Sequence, residues 1–265
     1  MRVTSPLGGA SREDPEGRPY RDRDNPEAPS FSLVDALQTE RWDFVTVTQN
    51  SADSFKAETY EPHGERLIEA IRKHAPMATV LVFQTPAYRE DHAFFANGQL
   101  TQQSMYEGLR AAYDEFARRH RLPVVPVGDA FQIARSKPQW RFVHPDPNFD
   151  YRNPTPGSLP EQAGSLNVGW YWKKDPNGGP PSLQTDANHA NVAGRYLGAG
   201  VFYEVLTGAS VLEIAWQPEG LNAAQAASLR QAAHEAVAAR KHPAVGATES
   251  GPPTRATNPS RIRSP

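Results

Sequence analysis

The chain has 265 residues, 38% hydrophobic and 22% charged, close enough to globular averages that wholesale disorder and a coiled coil are set aside. Its 28 basic and 30 acidic residues leave a formal charge of -2, which gives no electrostatic reason to expect a nucleic acid or an anionic membrane as partner. With no cysteine there is no disulfide, thiol nucleophile or Cys-ligated zinc, and no apolar run approaches the roughly 20 residues that span a bilayer.

Residues 1–30 mix glycines, prolines and charges and read mainly as loop, with at most a short strand at Arg2–Ser5. The opening Met1-Arg2-Val3-Thr4-Ser5-Pro6 lacks the apolar stretch of a secretion signal, so it assigns no compartment. Trp42–Val47 is β-branched and aromatic and predicts a buried strand that ends at Thr48-Gln49-Asn50-Ser51. From Tyr60 to Ala75 the spacing of Leu67, Ile68, Ile71 and Ala75 predicts a helix, and Thr79–Phe83 a second strand. Thr101–His120 repeats the helical pattern with Met105, Leu109, Tyr113 and Phe116 on one face, and Leu122–Val127 follows as a third strand. Alternation of this kind predicts an α/β fold with a parallel sheet and right-handed crossovers, in which ligands sit beyond the carboxyl ends of the strands. Those ends are Gln49-Asn50-Ser51, Gln84-Thr85 and Gly128-Asp129.

Residues 138–185 then form a long connection rich in proline, glycine and aromatics, including Trp140, Trp170 and Trp172. A structureless loop of that length is either functional or a sign of elements missed. Helices are predicted at His189–Leu206 and Asn222–Lys241, the second with Asn222 as N-cap and Gln225 as its capping-box partner. From Pro243 to the end, proline, serine, threonine and arginine without apolar anchors predict a disordered tail, so residues 1–242 are taken as one domain.

Asp186-Ala187-Asn188-His189 is the most specific short feature. A carboxylate three residues from an imidazole can fix its tautomer and make it a general base toward a hydroxyl. The same spacing also suits a helix N-cap beside a surface histidine. His63, His74 and the Asp91-His92 pair lack a second ligand at metal spacing, so no metal or cofactor is expected. Trp170 and Trp172 suit either stacking on a sugar ring or clamping the long loop to its domain.

Asp186 to Leu197, running on into Val201-Phe202-Tyr203-Glu204, resembles the last block of the SGNH (GDSL-type) hydrolase superfamily, in particular a largely uncharacterised bacterial branch. The likeness extends to Arg41–Thr46 with Gln49 and Ser51, to Gln84-Thr85 with Ala87-Tyr88-Arg89, to Val127–Phe131 and to Asn167–Trp172, so it covers about Gly8 to Ala239. It implies a flavodoxin-like three-layer α/β/α sandwich and a Ser-His-Asp site cleaving acyl esters of carbohydrates or lipids, in proteins that often carry secretion signals. Matched by position, His189 is the base and Asp186 its orienting carboxylate. Gly8 or Gly9 and Gln49 or Asn50 are the oxyanion donors, and Gln84 lies beside the substrate. Phe83 and Pro86 stand where such proteins often have a histidine and a tryptophan.

The family's serine closes the first strand in a Gly-Asp-Ser or Gly-Asn-Ser motif, and no strand of that kind precedes Gly8. Ser5 and Ser11 follow no such strand, and Ser51 and Ser54 come after a later one. The first, central strand and its nucleophile are therefore expected to be missing, and the chain as given to lack appreciable esterase activity. The alternative is a catalytically dead SGNH-fold module that binds a glycan or a protein through residues 138–185.

Overall fold

The computed structural model describes Glu27 and residues 29–240. The predicted strand Arg2–Ser5, the glycines Gly8 and Gly9, and the tail from Pro243 lie outside the described residues.

Three strands form a parallel sheet in the order β1 (Phe44–Val47), β2 (Thr79–Phe83), β3 (Val124–Val125). Phe44 pairs with Thr79, and Val82 with Val124. The strands expected from the sequence are thus adjacent and parallel. The third is shorter than the predicted Leu122–Val127 because Pro123 and Pro126 bracket it; proline has no N–H for a ladder. Val127, expected in the strand, instead opens a helix, α4 (Val127–Arg135), that strand periodicity did not reveal.

Helices cover both faces, giving a three-layer α/β/α sandwich. On one side lie α1 (Leu33–Gln38), α2 (His63–His74) and α3 (Gln102–His120), whose Leu37, Ile68, Ile71, Met105, Leu109 and Phe116 pack with Val80 and Val82 of β2. On the other lie α4, α5 (Val192–Thr207) and α6 (Ala223–Ala239), whose Phe131, Leu197, Val201 and Leu229 pack with Leu81 and Val125. Val80, Leu81 and Val82 alternate between the two cores, as the period of two along a strand requires. Because α2 and α3 each connect neighbouring strands in a row advancing one way, they share a face.

Several helix ends follow from local chemistry. The α6 capping box is present as read, Asn222 accepting from the Gln225 N–H and Gln225 returning the bond. The short α1 starts the same way, with Ser32 and Asp35 bonded reciprocally, a Ser-x-x-Asp signal that the reading of residues 1–30 as loop stopped short of.

The stretch 138–185 is not structureless. It contains β4 (Asn167–Lys173), which pairs antiparallel with β5 (Ser182–Ala190) in a separate two-stranded hairpin. Consequently α5 begins at Val192, three residues after the predicted His189, with Asn191 as its N-cap. Asp186 and His189 therefore stand on a strand rather than in a helix mouth.

Leu81 is fully buried at the centre of the sheet. Leu81→Ala is expected to lower stability by about 2–5 kcal/mol in urea denaturation, through lost transfer energy and the cavity left behind.

Candidate active site

The β4–β5 pairing changes register where the site forms. Asn167 faces Ala190 and Gly169 faces Asp186, so two steps along β4 match four along β5. The surplus residues of β5 bulge out of the ladder, and this lets two side chains three apart on a strand meet. The Asp186 carboxylate accepts from the His189 backbone N–H at 2.9 Å and lies 2.9 and 3.0 Å from the ring Nδ1. Its side chain is 25% exposed while that of His189 is 75% exposed, so the imidazole is held from below and open above. Partial burial works against the charge on Asp186, but the His189 N–H and ring and the Asn188 N–H outweigh it and hold the carboxyl below its ordinary range.

The bulge is pinned to the end of the parallel sheet. Ala187 is buried, and its carbonyl accepts from the Arg89 N–H at 2.8 Å, in the segment that follows β2. Next to it, the Tyr88 hydroxyl lies 2.9 Å from Ser51 Oγ, in the segment that follows β1. His92 stacks on Tyr88 with ring centroids 4.2 Å apart. Burial lowers the pKa of His92 against the opposing pull of Asp91 and Asp186, and its Nδ1 accepts from the Phe94 N–H, so the ring is neutral with its proton on Nε2. The Asp186–His189 pair, Tyr88, His92 and Ser51 thus gather beyond the carboxyl ends of β1 and β2, where the strand-end rule points.

A buried ion pair underlies this edge. The side chains of Arg89 and Asp91 are each 1% exposed and bond through Nε to Oδ1 at 2.7 Å and Nη2 to Oδ2 at 2.6 Å. Arg89 Nη1 donates to Gln162 Oε1 and Ser165 Oγ, and Trp170 Nε1 donates to Asp91 Oδ2 at 2.8 Å. Gly169, at φ +79, lies against these groups, where a Cβ would run into Gln162 Oε1 and Arg89 Nη1. The hairpin is therefore bolted to the sheet by charge-assisted bonds.

The other residues expected at a site are placed as follows. Gln49 donates through Nε2 to the Thr59 carbonyl and hydroxyl and accepts the Asn50 N–H, so its amide closes the 49–59 loop. Asn50 is exposed; its Oδ1 accepts from Ala52, and its Nδ2 bonds to none of the described residues. Gln84 is fully buried, its amide bonded at both ends to Asp129, so it braces β2 to the start of α4. Asp129 is further held by Tyr106 and Arg240. Trp172 Nε1 donates to the Ser158 carbonyl and Trp170 is tied to Asp91, so both indole N–H groups clamp the hairpin and the loop before it. Reading the sequence singled out neither the Arg89–Asp91 pair nor Tyr88 with Ser51. Charges two apart and a lone tyrosine carry little signal before the fold folds them inward.

Among the described residues no three or more His, Asp or Glu side chains gather as a metal site. No helix there is long and apolar enough to cross a membrane.

An α/β/α sandwich with a His–Asp pair at the carboxyl edge of its parallel strands is the class of protein defined by this geometry. Among solved structures, the chain is similar to that of a DUF4886 family protein from Bacteroides uniformis ATCC 8492, with a TM-score of 0.60 and 24% sequence identity over 80% of this chain and 68% of that one. At that identity the likeness is one of fold. No family model matches the chain, and neither does any curated protein.

Two measurements test the site's construction. Asp186 has a folded pKa below its ordinary value of 3.8, so its charge stabilises the fold above that value and the contribution is lost as pH falls through the lowered one. Asp186→Asn should accordingly be destabilising at pH 7 and nearly neutral well below pH 3.8, as read by chemical denaturation at each pH. Arg89→Met leaves Asp91 buried without its partner and should cost about 3–5 kcal/mol, more than the double substitution Arg89→Met with Asp91→Leu.

Proposed function

We propose that the protein is an SGNH-type hydrolase of acyl esters, with His189 as general base and Asp186 as the carboxylate that orients it. One observation carries the reading: the carboxylate grips Nδ1 and the backbone N–H of His189, leaving Nε2 outward on an exposed ring at the sheet's carboxyl edge. With a proton on Nδ1 facing the carboxylate, Nε2 presents a lone pair. That nitrogen can take a proton from a hydroxyl as it attacks an ester carbonyl and return it to the leaving alkoxide. Asn50 is the amide with an N–H left to meet the developing oxyanion; Gln49 is engaged by Thr59. No hydroxyl among the described residues hydrogen-bonds Nε2 of His189, so the serine is to come from outside residues 29–240. The ester belongs to a small molecule or a glycan.

The second reading is a module of this fold that binds a glycan or protein without cleaving it. Hydrolysis of p-nitrophenyl acetate, with a fluorophosphonate probe for an activated serine, separates the two. The 265-residue chain should hydrolyse slowly at most. Supplied with a strand ending in Gly-Asp-Ser or Gly-Asn-Ser ahead of residue 1, it should gain orders of magnitude in rate and become labelled, and His189→Ala should remove both gains. An extended chain that is neither faster nor labelled would leave the binding module standing; robust hydrolysis by the short chain, abolished by Ser11→Ala, would mean that the nucleophile is already present.

A further inference from the structure

Behind the hairpin is a polar cluster that the Asp186–His189 pair does not use. Arg135, the last residue of α4, donates through Nη2 to the Ala87 carbonyl and to Asn167 Oδ1, both at 3.0 Å. Asn167 is 1% exposed, and because its oxygen must face the guanidinium, its Nδ2 is turned the other way. Arg135 Nη1 and Asn167 Nδ2 are both enclosed, and neither has a hydrogen-bond partner among the described residues. Native interiors pair almost every such donor, so the unpaired cationic one on Arg135 calls for an acceptor; the Asn167 donor faces away and does not line the cavity beside Arg135. No carboxylate among the described residues forms a salt bridge with Arg135. Burial lowers its pKa to about 10, with Glu90 the one carboxylate opposing that shift and Arg89 adding to it.

Arg135 also lines a cavity of about 450 Å³, together with Glu90, Gln132, Arg141, Phe142 and His144. That volume suits a ligand of monosaccharide size. Two arginines against one glutamate leave a formal charge of +1 from these groups, which one carboxylate balances. A phosphate dianion would exceed that charge and meet Glu90 as well. Phe142 rests on the Arg89 guanidinium, 4.1 Å from ring centroid to Cζ, and forms an apolar wall. The Gln132 N–H groups are spent on Gln102 and Gln103 and the Ser136 O–H on the Ile133 carbonyl, which leaves a lone pair on Gln132 Oε1 and on Ser136 Oγ to accept from ligand hydroxyls. Arg141, Val143 and His144 are exposed, and because Arg135 Nη1 is enclosed, the proposed binding requires lining side chains such as these to move aside.

We propose that this cavity binds a small hydroxylated organic acid, its carboxylate held by Arg135 and Arg141 and its hydroxyls by the Gln132 and Ser136 side-chain oxygens. The site is separate from the Asp186–His189 pair, neither of which lines it, and the inference does not depend on the esterase reading.

The test is calorimetric titration of the full 265-residue protein with glucuronate, with glucose, which has a hydroxymethyl group where glucuronate has its carboxylate, and with inorganic phosphate. Glucuronate should bind and raise the melting temperature, with glucose and phosphate weaker by about tenfold or more. Arg141→Ala, a change at an exposed side chain, should weaken glucuronate binding by about tenfold while leaving the melting temperature of the free protein unchanged. Arg135→Met should abolish binding; if that variant does not fold, Arg141→Ala and the glucose comparison still decide. Equal binding of glucose, tighter binding of phosphate, no binding of glucuronate, or glucuronate binding indifferent to Arg141→Ala would each overturn the proposal.

Discussion

Arg89 and Asp91 are charges taken almost wholly out of water, and a charge moved so far inward is tolerated only where its partner and its remaining donors or acceptors are met. Here they are. The two parallel N–H···O bonds of the pair leave Nη1 for Gln162 and Ser165 and leave Asp91 Oδ2 a second bond from Trp170. These partners come from the segment after β2, from the loop before β4 and from β4 itself. Hydrophobic contact could bring the three together, but only directional bonds fix the angle at which the hairpin leaves the sheet. Gly169 completes the joint, because the Arg89 and Gln162 groups occupy the space that a side chain would need.

The site inherits its rigidity from this joint. Asp186 and His189 lie on β5, which pairs with β4 at Asp186–Gly169 and Ala190–Asn167 and bonds back to the Arg89 backbone through Ala187. An imidazole 75% exposed would ordinarily sample several rotamers. The carboxylate below and the anchored bulge remove that freedom beforehand. Preorganisation of this kind suits the general-base role proposed for His189.

What could be read from the residues follows from the range of the forces involved. The α6 cap, the three parallel strands and the helical faces of α2 and α3 depend on neighbours a few residues apart, and each stands in the structure with small shifts. The shortening of β3 is local too, being written in Pro123 and Pro126. The hairpin escaped notice because Gly169 interrupts the strand-forming Val168, Trp170, Tyr171 and Trp172 of β4, and because β5 is largely polar, with Gln184, Asp186 and Asn188 where β-branched residues would signal a strand. The same distinction separates the candidate residues. Asp186 and His189 were visible through their spacing, whereas Gln49 and Gln84 differ in role from Asn50 only through partners 10 and 45 residues away, at Thr59 and Asp129.

Two uses of Asp-x-x-His were open from the spacing, a helix cap beside a surface histidine or a carboxylate orienting a base, and they make different demands on the same oxygens. A cap accepts from the N–H groups of the first helical turn. In α5 that bond is made by Asn191, whose Oδ1 accepts from Gly194, while its Nδ2 bonds the carbonyls of Ser165 and Asn167 and so ties the helix start to β4. With capping supplied by Asn191, both oxygens of Asp186 are left for Nδ1 of His189, and one of them takes its backbone N–H as well. Asp186 itself stands on β5, five residues before that cap, and the bulge in β5 is what brings the His189 ring within reach of its carboxylate.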